Sequence, residues 1–398
     1  MKKKRQKGRS RLPRTSDKNH PRPDRHRGLT GKKISIFAKD VEKEALDQFY
    51  SAMGNDFSVT GVMLPDAHTG YTLPIGAVVG TTRIVLPSWV GYDIGCGMCA
   101  VATGLQAEHL LPFVDSIYRQ IYDRVPTGFN HHSHANNWDH SNLEKSDILQ
   151  QIFRKKGLLQ LGTLGSGNHF IEIGFDEAHQ IWLIVHSGSR GTGHAVATHY
   201  MKQASGDCKA REGHYGFDVD SKNGRSYIID MDFCLAYALE NRKRMIAVIL
   251  DIIEQTLPGQ PLAALDPSSL INRTHNHVEH RHGMWIHRKG ATQAEDGMRG
   301  VIPGNMRDGS FIVEGLGNRD SLWSSSHGAG RVLGRRKARQ QLSLEQFRKS
   351  MAGIKAKVTT GTLDESPFAY KDIFQIMDSQ AKMVKILHHV RPIINIKA

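Results

Sequence analysis

An α+β fold is the class with which the element pattern of this 398-residue chain agrees. Two observations point to it. Short apolar runs rich in β-branched and aromatic residues, cut by glycine or proline, read as strands; longer stretches with one apolar face read as helices. Both kinds recur along the chain, with the longest helical stretch from Met231 to Leu257. No apolar run approaches the ~18 residues that a membrane span needs, so a soluble protein is expected.

The formal charge is +14, and residues 1–33 hold fourteen Lys or Arg against Asp17 and Asp24, a net of +12. The basicity therefore belongs to a tail, and only +2 is left for residues 34–398. That tail has no apolar core of a secretory signal, and its Lys, Arg, Pro and Gly content predicts disorder. A flexible polycation attracts phosphate backbones without reading sequence, so RNA or the ribosome is its expected contact. Four cysteines, Cys96, Cys99, Cys208 and Cys234, do not make a disulfide framework in so long a chain, and a reducing, cytoplasmic setting is expected.

Ile34 to Phe57 reads as a helix, with Val41, Ala45, Leu46 and Phe49 on one face. Strand-like segments follow. In the first, Asp66 and His68 sit two apart, which puts both on one face of an extended chain. In the second, residues 84–102, Asp93, Gly95, Cys96 and Gly97 interrupt an apolar run. A carboxylate in such surroundings calls for a cation or an arginine.

Residues 110–124 and 143–156 read as helices, and the loop between them carries His131, His132, His134 and His140. Such a loop could bind metal or RNA, but with no strand to fix ligand geometry it is expected to be mobile surface. Next come two apolar runs, residues 169–175 and 181–186, joined by polar Asp176 to Gln180, which read as an antiparallel hairpin. If it is centred between Glu177 and Ala178, His169 and His186 pair directly, with Cβ atoms roughly 4.5–5.5 Å apart. Gly188 to His194, with Arg190, offers donors suited to an oxyanion. Neither a dinucleotide-binding nor a Walker A glycine pattern is present.

Alternation over residues 275–280 suits a strand with His275, His277 and Glu279 on one face. Ser324 to Ser326 lead into His327 and the turn Gly328–Ala329–Gly330, followed by Arg331. Leu333 to Lys357 reads as basic and helical, and a last helix is expected near 371–389. The candidates on glycine-bordered elements are Asp93, Cys96, His169, His186 and His275, with His327 among donors. Three imidazoles, a carboxylate and a thiolate suit a divalent first-row transition metal better than Mg²⁺ or Ca²⁺. Five ligands exceed one open catalytic site; a thiolate-bridged pair of ions would use them all and would suit phosphoryl chemistry.

The segments LPDAHTGYTLPIGAV, GYDIGCGM, LGSGNHFIEI, HSGSRGTG, HN at 275–276, KGAT, IPGNM, SFIVEGLGN, SSHGAGR, AYKD and the closing Ile-Lys resemble, in order, the motifs of the RtcB family of RNA-splicing ligases. The likeness runs from about residue 60 to the C-terminus. It implies a single catalytic domain, residues 34–398, with a compact β-rich core flanked by helices. It also implies a ligase that joins an RNA 3′-phosphate or 2′,3′-cyclic phosphate to a 5′-hydroxyl, using GTP and two Mn²⁺, in RNA repair or tRNA splicing.

By position, the resemblance implies one manganese on Cys96, His186 and His275 and the other on Asp93, Cys96 and His169. It implies His327 as the nucleophile of a histidine–GMP intermediate, assisted by Asn168 and Arg190. Asn168 would meet the GTP phosphates, Phe170 the pocket wall and Glu172 the guanine edge. His169, His275, Asn276, Pro303, Gly304, Asn305, Met306, Ser310, Gly328, Ala329, Gly330, Tyr370 and Lys397 complete the implied nucleotide contacts. Departures from the family pattern occur at Asn305 and Arg307, where Ser and Gly are common, and at Gly334, where Ser is usual. They suggest a divergent bacterial-type paralogue. Two other classes fit part of the pattern: a metal-dependent RNA phosphodiesterase or nuclease, and a non-catalytic RNA-binding protein.

Overall fold

The structure, a computed structural model, describes residues 28–257, 259–260, 262 and 269–398. Most of the basic tail lies outside the described residues. Lys32 and Lys33, assigned to it from the sequence, belong to the folded part: Lys32 Nζ donates to the carbonyls of Met53 (2.8 Å) and Asn55 (2.6 Å), and Lys33 opens the first strand.

Strand β1 (Lys33–Ile36), helix α1 (Lys43–Met53) and strands β2 (Ser58–His68) and β3 (Ile75–Thr81) come first. The helix expected over 34–57 is therefore a strand followed by a shorter helix. Strand β4 (Ile84–Val85), helix α2 (Pro87–Val90) and strand β5 (Gly97–Gln106) precede helices α3 (Ala107–Leu110), α4 (Val114–Arg124) and α5 (Asp147–Gln160). The central hairpin is β6 (Phe170–Phe175) and β7 (Gln180–Ser187); α6 (Arg190–Ser205), β8 (Phe217–Asp218) and the 35-residue α7 (Lys222–Thr256) follow. Next are β9 (Ile271–Thr274), β10 (Asn276–Arg281), β11 (Met284–Lys289), β12 (Ala291–Gln293), β13 (Arg299–Pro303), β14 (Ser310–Gly315) and β15 (Ser324–Ser326). Helices α8 (Arg335–Gln341) and α9 (Leu344–Ser350), strand β16 (Lys355–Ala356), helix α10 (Ile373–Ser379) and strand β17 (Val384–Ile396) complete the chain.

Strands and helices are thus mixed in an α+β arrangement. One sheet runs β1-β2-β3-β11-β10 and a larger one β13-β14-β17-β6-β7-β5-β9, with β16 beside β17. The larger sheet curls until its edges approach: Arg273 Nε on β9 donates to the Arg299 carbonyl on β13 at 3.1 Å. Alternation then sorts its side chains. Met98, Ala100, Phe170, Trp182, Ile184, Val301, Ile312 and Val390 fill one side of the curl. Cys99, Val101, Ile171, Ile173, Leu183 and Val185 face the other way, against Ile117 and Ile121 of α4 and Met245, Ile249 and Ile252 of α7. The inner-side parity of β5 and β7 leads to Cys96 and His186, which therefore stand at the mouth of the curl.

Three further sequence expectations are corrected. The hairpin pairs Phe170 with His186, not His169 with His186, a slip of one residue. The turn explains it: Asp176 Oδ1 accepts from the backbone N–H of Ala178 (2.9 Å) and of Gln180 (3.0 Å), which centres the hairpin on Ala178. The helix expected near 371–389 ends at Ser379, and the rest is β17, inserted between β14 and β6. Finally, His275 does not share a strand face with His277 and Glu279. It lies at the break where the chain leaves β5 to pair with β11, while His277 and Glu279 turn to the buried Arg288.

Candidate active site

At the mouth of the curl, the turn after α2 brings Asp93 and Cys96, the turn before β6 brings His169, the end of β7 brings His186 and the β9–β10 break brings His275. Cys96 Sγ lies 3.5 Å from His169 Nε2 and 3.2 Å from His186 Nε2. His186 Nε2 faces His275 Nε2 at 3.3 Å, and His169 Nε2 faces Asp93 Oδ2 at 2.9 Å. These atoms form two overlapping groups, Cys96–His186–His275 and Asp93–Cys96–His169, each with ligand atoms within 4.8 Å of one another.

The donor set fits divalent metal. His169 Nδ1 bonds the Leu164 carbonyl (2.8 Å) and His186 Nδ1 the Asn168 carbonyl (3.2 Å), so both rings carry a proton on Nδ1 and aim Nε2 inward, the nitrogen that would coordinate an ion. Ligand atoms on a tetrahedral ion at ~2.0–2.3 Å lie roughly 3.3–3.6 Å apart, which matches the Cys/His separations. Burial holds the His186 and His275 imidazoles well below the usual range, hence neutral. Burial opposes ionisation of Asp93, yet His169, Cys96 and His186 hold its carboxyl low. Burial and Asp93 push the Cys96 thiol up, so a thiolate there needs a compensating cation.

Helix α7, expected to be core only, also pins the turns that carry these ligands. The buried Arg242 donates from NH1 to the carbonyls of Gly95 (2.8 Å) and Ser187 (2.7 Å). Asn241 Oδ1 accepts from the backbone of Gly162 (2.7 Å) and Thr163 (3.1 Å), and its Nδ2 donates to the Ser187 hydroxyl (3.1 Å). The only sequence signal was an Asn-Arg pair inside an apolar helix.

Beside the cluster, a cavity of about 270 Å³ is lined by the expected Asn168, Phe170, Glu172, Pro303, Gly304, Asn305, Met306, His327, Gly328, Ala329, Gly330, Tyr370 and Lys397. His186 also reaches it, whereas His169, His275, Asn276 and Ser310 do not line it. Asn276 instead props two turns, donating to the Asp93 carbonyl (3.2 Å) and accepting from Gly290 N–H (2.8 Å). Ser310 is buried at the start of β14. Arg190 opens α6 and donates to Thr163 Oγ1 (3.0 Å) and the Gly128 carbonyl (2.9 Å), outside the cavity. The Asn305 amide folds back on its own loop, accepting from Arg307 and Asp308 N–H (both 3.0 Å) and donating to Asp308 Oδ2 (2.7 Å). Arg307 pairs with Asp308 at 2.7 Å.

Sequence reasoning gave no role here to the lining residues Glu365 and Arg335, nor to Asp66, which stands behind His327. Asp66 holds His327: its buried Oδ2 accepts from His327 Nδ1 at 2.6 Å and from His327 N–H at 3.2 Å. In the neutral ring that bond puts the proton on Nδ1 and makes Nε2 the lone-pair nitrogen, and the ring lies 5.0 Å from that of His275. At the other end Glu365 is a hub, accepting from Lys397, from Tyr370 Oη (2.7 Å), from Arg335 (2.5 Å) and, more distantly, from Arg331 (3.4 Å). Burial opposes its ionisation, but Lys397 and Arg335 bring the carboxyl down to about 2. Lys397 also stands 5.3 Å over the Phe170 ring.

Glu172 contrasts with this. Burial pushes its carboxyl up to about 8, against the pull of Ser310, Asn395 and Lys397. An acid raised on folding binds more protons in the folded state between its unfolded value near 4.5 and about 8. Stability should therefore fall as pH rises across that window and level off above it. Thermal unfolding measured against pH should lose this component in Glu172→Gln; an unchanged pH profile would contradict it.

Set against known proteins, residues 55–154 and 133–398 match the family described as tRNA-splicing ligase RtcB. Among similar proteins, RNA-splicing ligase RtcB of Escherichia coli K12 is 33% identical over 90% of this chain and 95% of its own length. The tRNA-splicing ligase RtcB of Nanoarchaeum equitans is 29% identical over 84% and 87%. RNA-splicing ligase RtcB of Mycobacterium tuberculosis is 27% identical over 79% and 91%.

Proposed function

This chain belongs to the RtcB tRNA-splicing ligase family, and from that premise we propose that it joins RNA ends through a guanylate carried on His327. The substrate ends are a 3′-phosphate, or the 2′,3′-cyclic phosphate that opens to it, and a 5′-hydroxyl. GTP is the co-substrate and two manganese ions are the metals. The observation that carries the reading is the His327–Asp66 pair, beside the Cys/His cluster and open to the cavity.

Divalent ions on Cys96 with His186 and His275, and on Cys96 with Asp93 and His169, would supply Lewis acidity and neutralise phosphate charge. The chain's own residues do the rest. His327 Nε2 attacks the α-phosphorus of GTP, forming a P–N bond as the bond to the β-phosphate oxygen breaks and pyrophosphate leaves. The Nδ1 proton stays in its bond to Asp66, whose carboxylate offsets the charge gained by the ring. Backbone of Gly328–Gly330 and the Asn168 amide face the phosphates. Phe170 offers a wall for the base, and Glu172, once ionised, accepts from the guanine edge. The guanylate then passes to the RNA 3′-phosphate, and the 5′-hydroxyl displaces GMP to leave a phosphodiester.

Asp66→Asn keeps the shape but removes the charge behind His327. Adduct formation in a single turnover should slow by roughly 10³–10⁴-fold, as when a carboxylate behind a catalytic imidazole is neutralised, with metal content unchanged. An unaltered rate would remove Asp66 from the mechanism.

The same two-ion cluster would serve an RNA phosphodiesterase, but a hydrolase has no use for an imidazole held as a nucleophile. Incubating a 3′-phosphate strand and a 5′-hydroxyl strand with the protein, GTP and Mn²⁺ separates the two. A joined, GTP-dependent product supports ligation, whereas GTP-independent shortening of the strands supports hydrolysis.

A further inference from the structure

The histidine-bearing loop, residues 126–141, is not the loose surface that its composition suggests. His132 N–H and Asn136 N–H donate to the carbonyls of Leu159 and Leu158 (both 3.0 Å), and Asn136 Nδ2 donates to the Leu161 carbonyl (2.7 Å). Trp138 packs its ring 5.6–6.2 Å from those of Phe153, Phe233 and Tyr237. The loop is thereby laid along the C-terminal half of α5. Between them runs a groove of about 450 Å³ whose charged lining residues are Lys145, Arg154, Lys155 and Lys156, with His140 and no carboxylate.

Two features make this groove unusual. Residues 34–398 have a net charge of only +2, so four cations without an acid are a local concentration. Arg154, Lys155 and Lys156 are exposed and form no ion pair among the described residues, so their charges face solvent uncompensated. The second feature is Phe129, 93% exposed at the start of the same loop. It is held in place through Gly128, whose N–H donates to the Gly165 carbonyl (2.8 Å) and whose carbonyl accepts from Arg190 (2.9 Å). Gly165 lies directly against His169: a Cβ there would come within 2.7 Å of its Nδ1. The loop therefore starts between His169 and the C-terminal Ala398, to which a Cβ on Gly128 would come within 3.9 Å, and none of the groove's lining residues lines the cavity that holds His327.

We infer that this groove and Phe129 form a subsite for single-stranded RNA leading to the ends being joined. The inference rests on the ligase reading for its substrate. With the nucleotide in the His327 cavity, the RNA end must approach the cluster from another side. Cations along a groove would neutralise successive phosphates without reading sequence, and an exposed ring at the start of the same loop offers a stacking face to any base.

The test uses the full-length protein and a labelled single-stranded RNA at graded salt. A variant carrying Arg154→Gln, Lys155→Gln and Lys156→Gln should bind at least about tenfold more weakly at low salt, with a log–log salt slope shallower by about 2, from ~0.7 per lost phosphate contact. Phe129→Ala should weaken binding while Phe129→Tyr restores it. Transfer of GMP from GTP to the protein without RNA should be unchanged in all of them. A control carrying Lys222→Gln, Lys349→Gln and Lys382→Gln removes the same charge at exposed positions elsewhere. Affinity and slope equal to that control would overturn the subsite. Failure of the wild type itself to take up GMP would instead defeat the ligase reading, and the binding comparison would still decide the subsite.

Discussion

Replacing His327 by alanine should abolish both the protein–GMP adduct and the joining of 3′-phosphate to 5′-hydroxyl ends, a loss to background. The variant should still seal an RNA whose 3′-phosphate already carries GMP, because that step uses the metal cluster and not the nucleophile. This split is the useful part. A merely structural role for the imidazole, bonded through Nδ1 to Asp66 at 2.6 Å, would impair both steps together. Sealing of the pre-activated strand should proceed within about tenfold of the wild-type rate, whereas adduct formation has no other nucleophile to fall back on.

Cys96→Ser should weaken both metal positions at once. Cys96 is the member shared by the two ligand groups, with Sγ 3.2 Å from His186 Nε2 and 3.5 Å from His169 Nε2. A hydroxyl is a poor substitute: it does not ionise near neutral pH, and it is smaller and harder than a thiolate. Metal analysis after dialysis should show two equivalents for the wild type and well below one for the variant. Ligation should fall by at least about 10³-fold with the fold intact by circular dichroism. His275→Ala, by contrast, should empty one position and spare the other. Two ions held by Cys96→Ser with unchanged affinity would exclude a bridging thiolate.

Much of this centre was legible because its candidate ligands sit on short glycine-bordered segments whose residue types stand out from an apolar background. Asp93, Cys96, His169, His186 and His275 needed no knowledge of the sheet order to be singled out. The register of the hairpin was not legible, since it depends on which backbone N–H groups the Asp176 carboxylate caps, and a one-residue shift changes no periodicity. Asp66 was noticed but not joined to His327. The two are 261 residues apart, and only the packing of β2 against β15 brings them together. Residues 384–396 read partly as helix because their apolar pattern is ambiguous over a short window, and their place between β14 and β6 decides the matter. Arg242 and Asn241 looked like helix interior because the turns they bind come from distant parts of the chain.

The central claim is that His327 carries the guanylate, and the most direct measurement is its chemical identification in the wild-type protein. Incubation with α-labelled GTP and Mn²⁺, followed by digestion and peptide mapping, should place one label on the peptide containing His327. The bond should be labile to acid and stable to base, as a phosphoramidate is. Label on a lysine or serine, or RNA joining by a protein that never takes up label, would contradict the account.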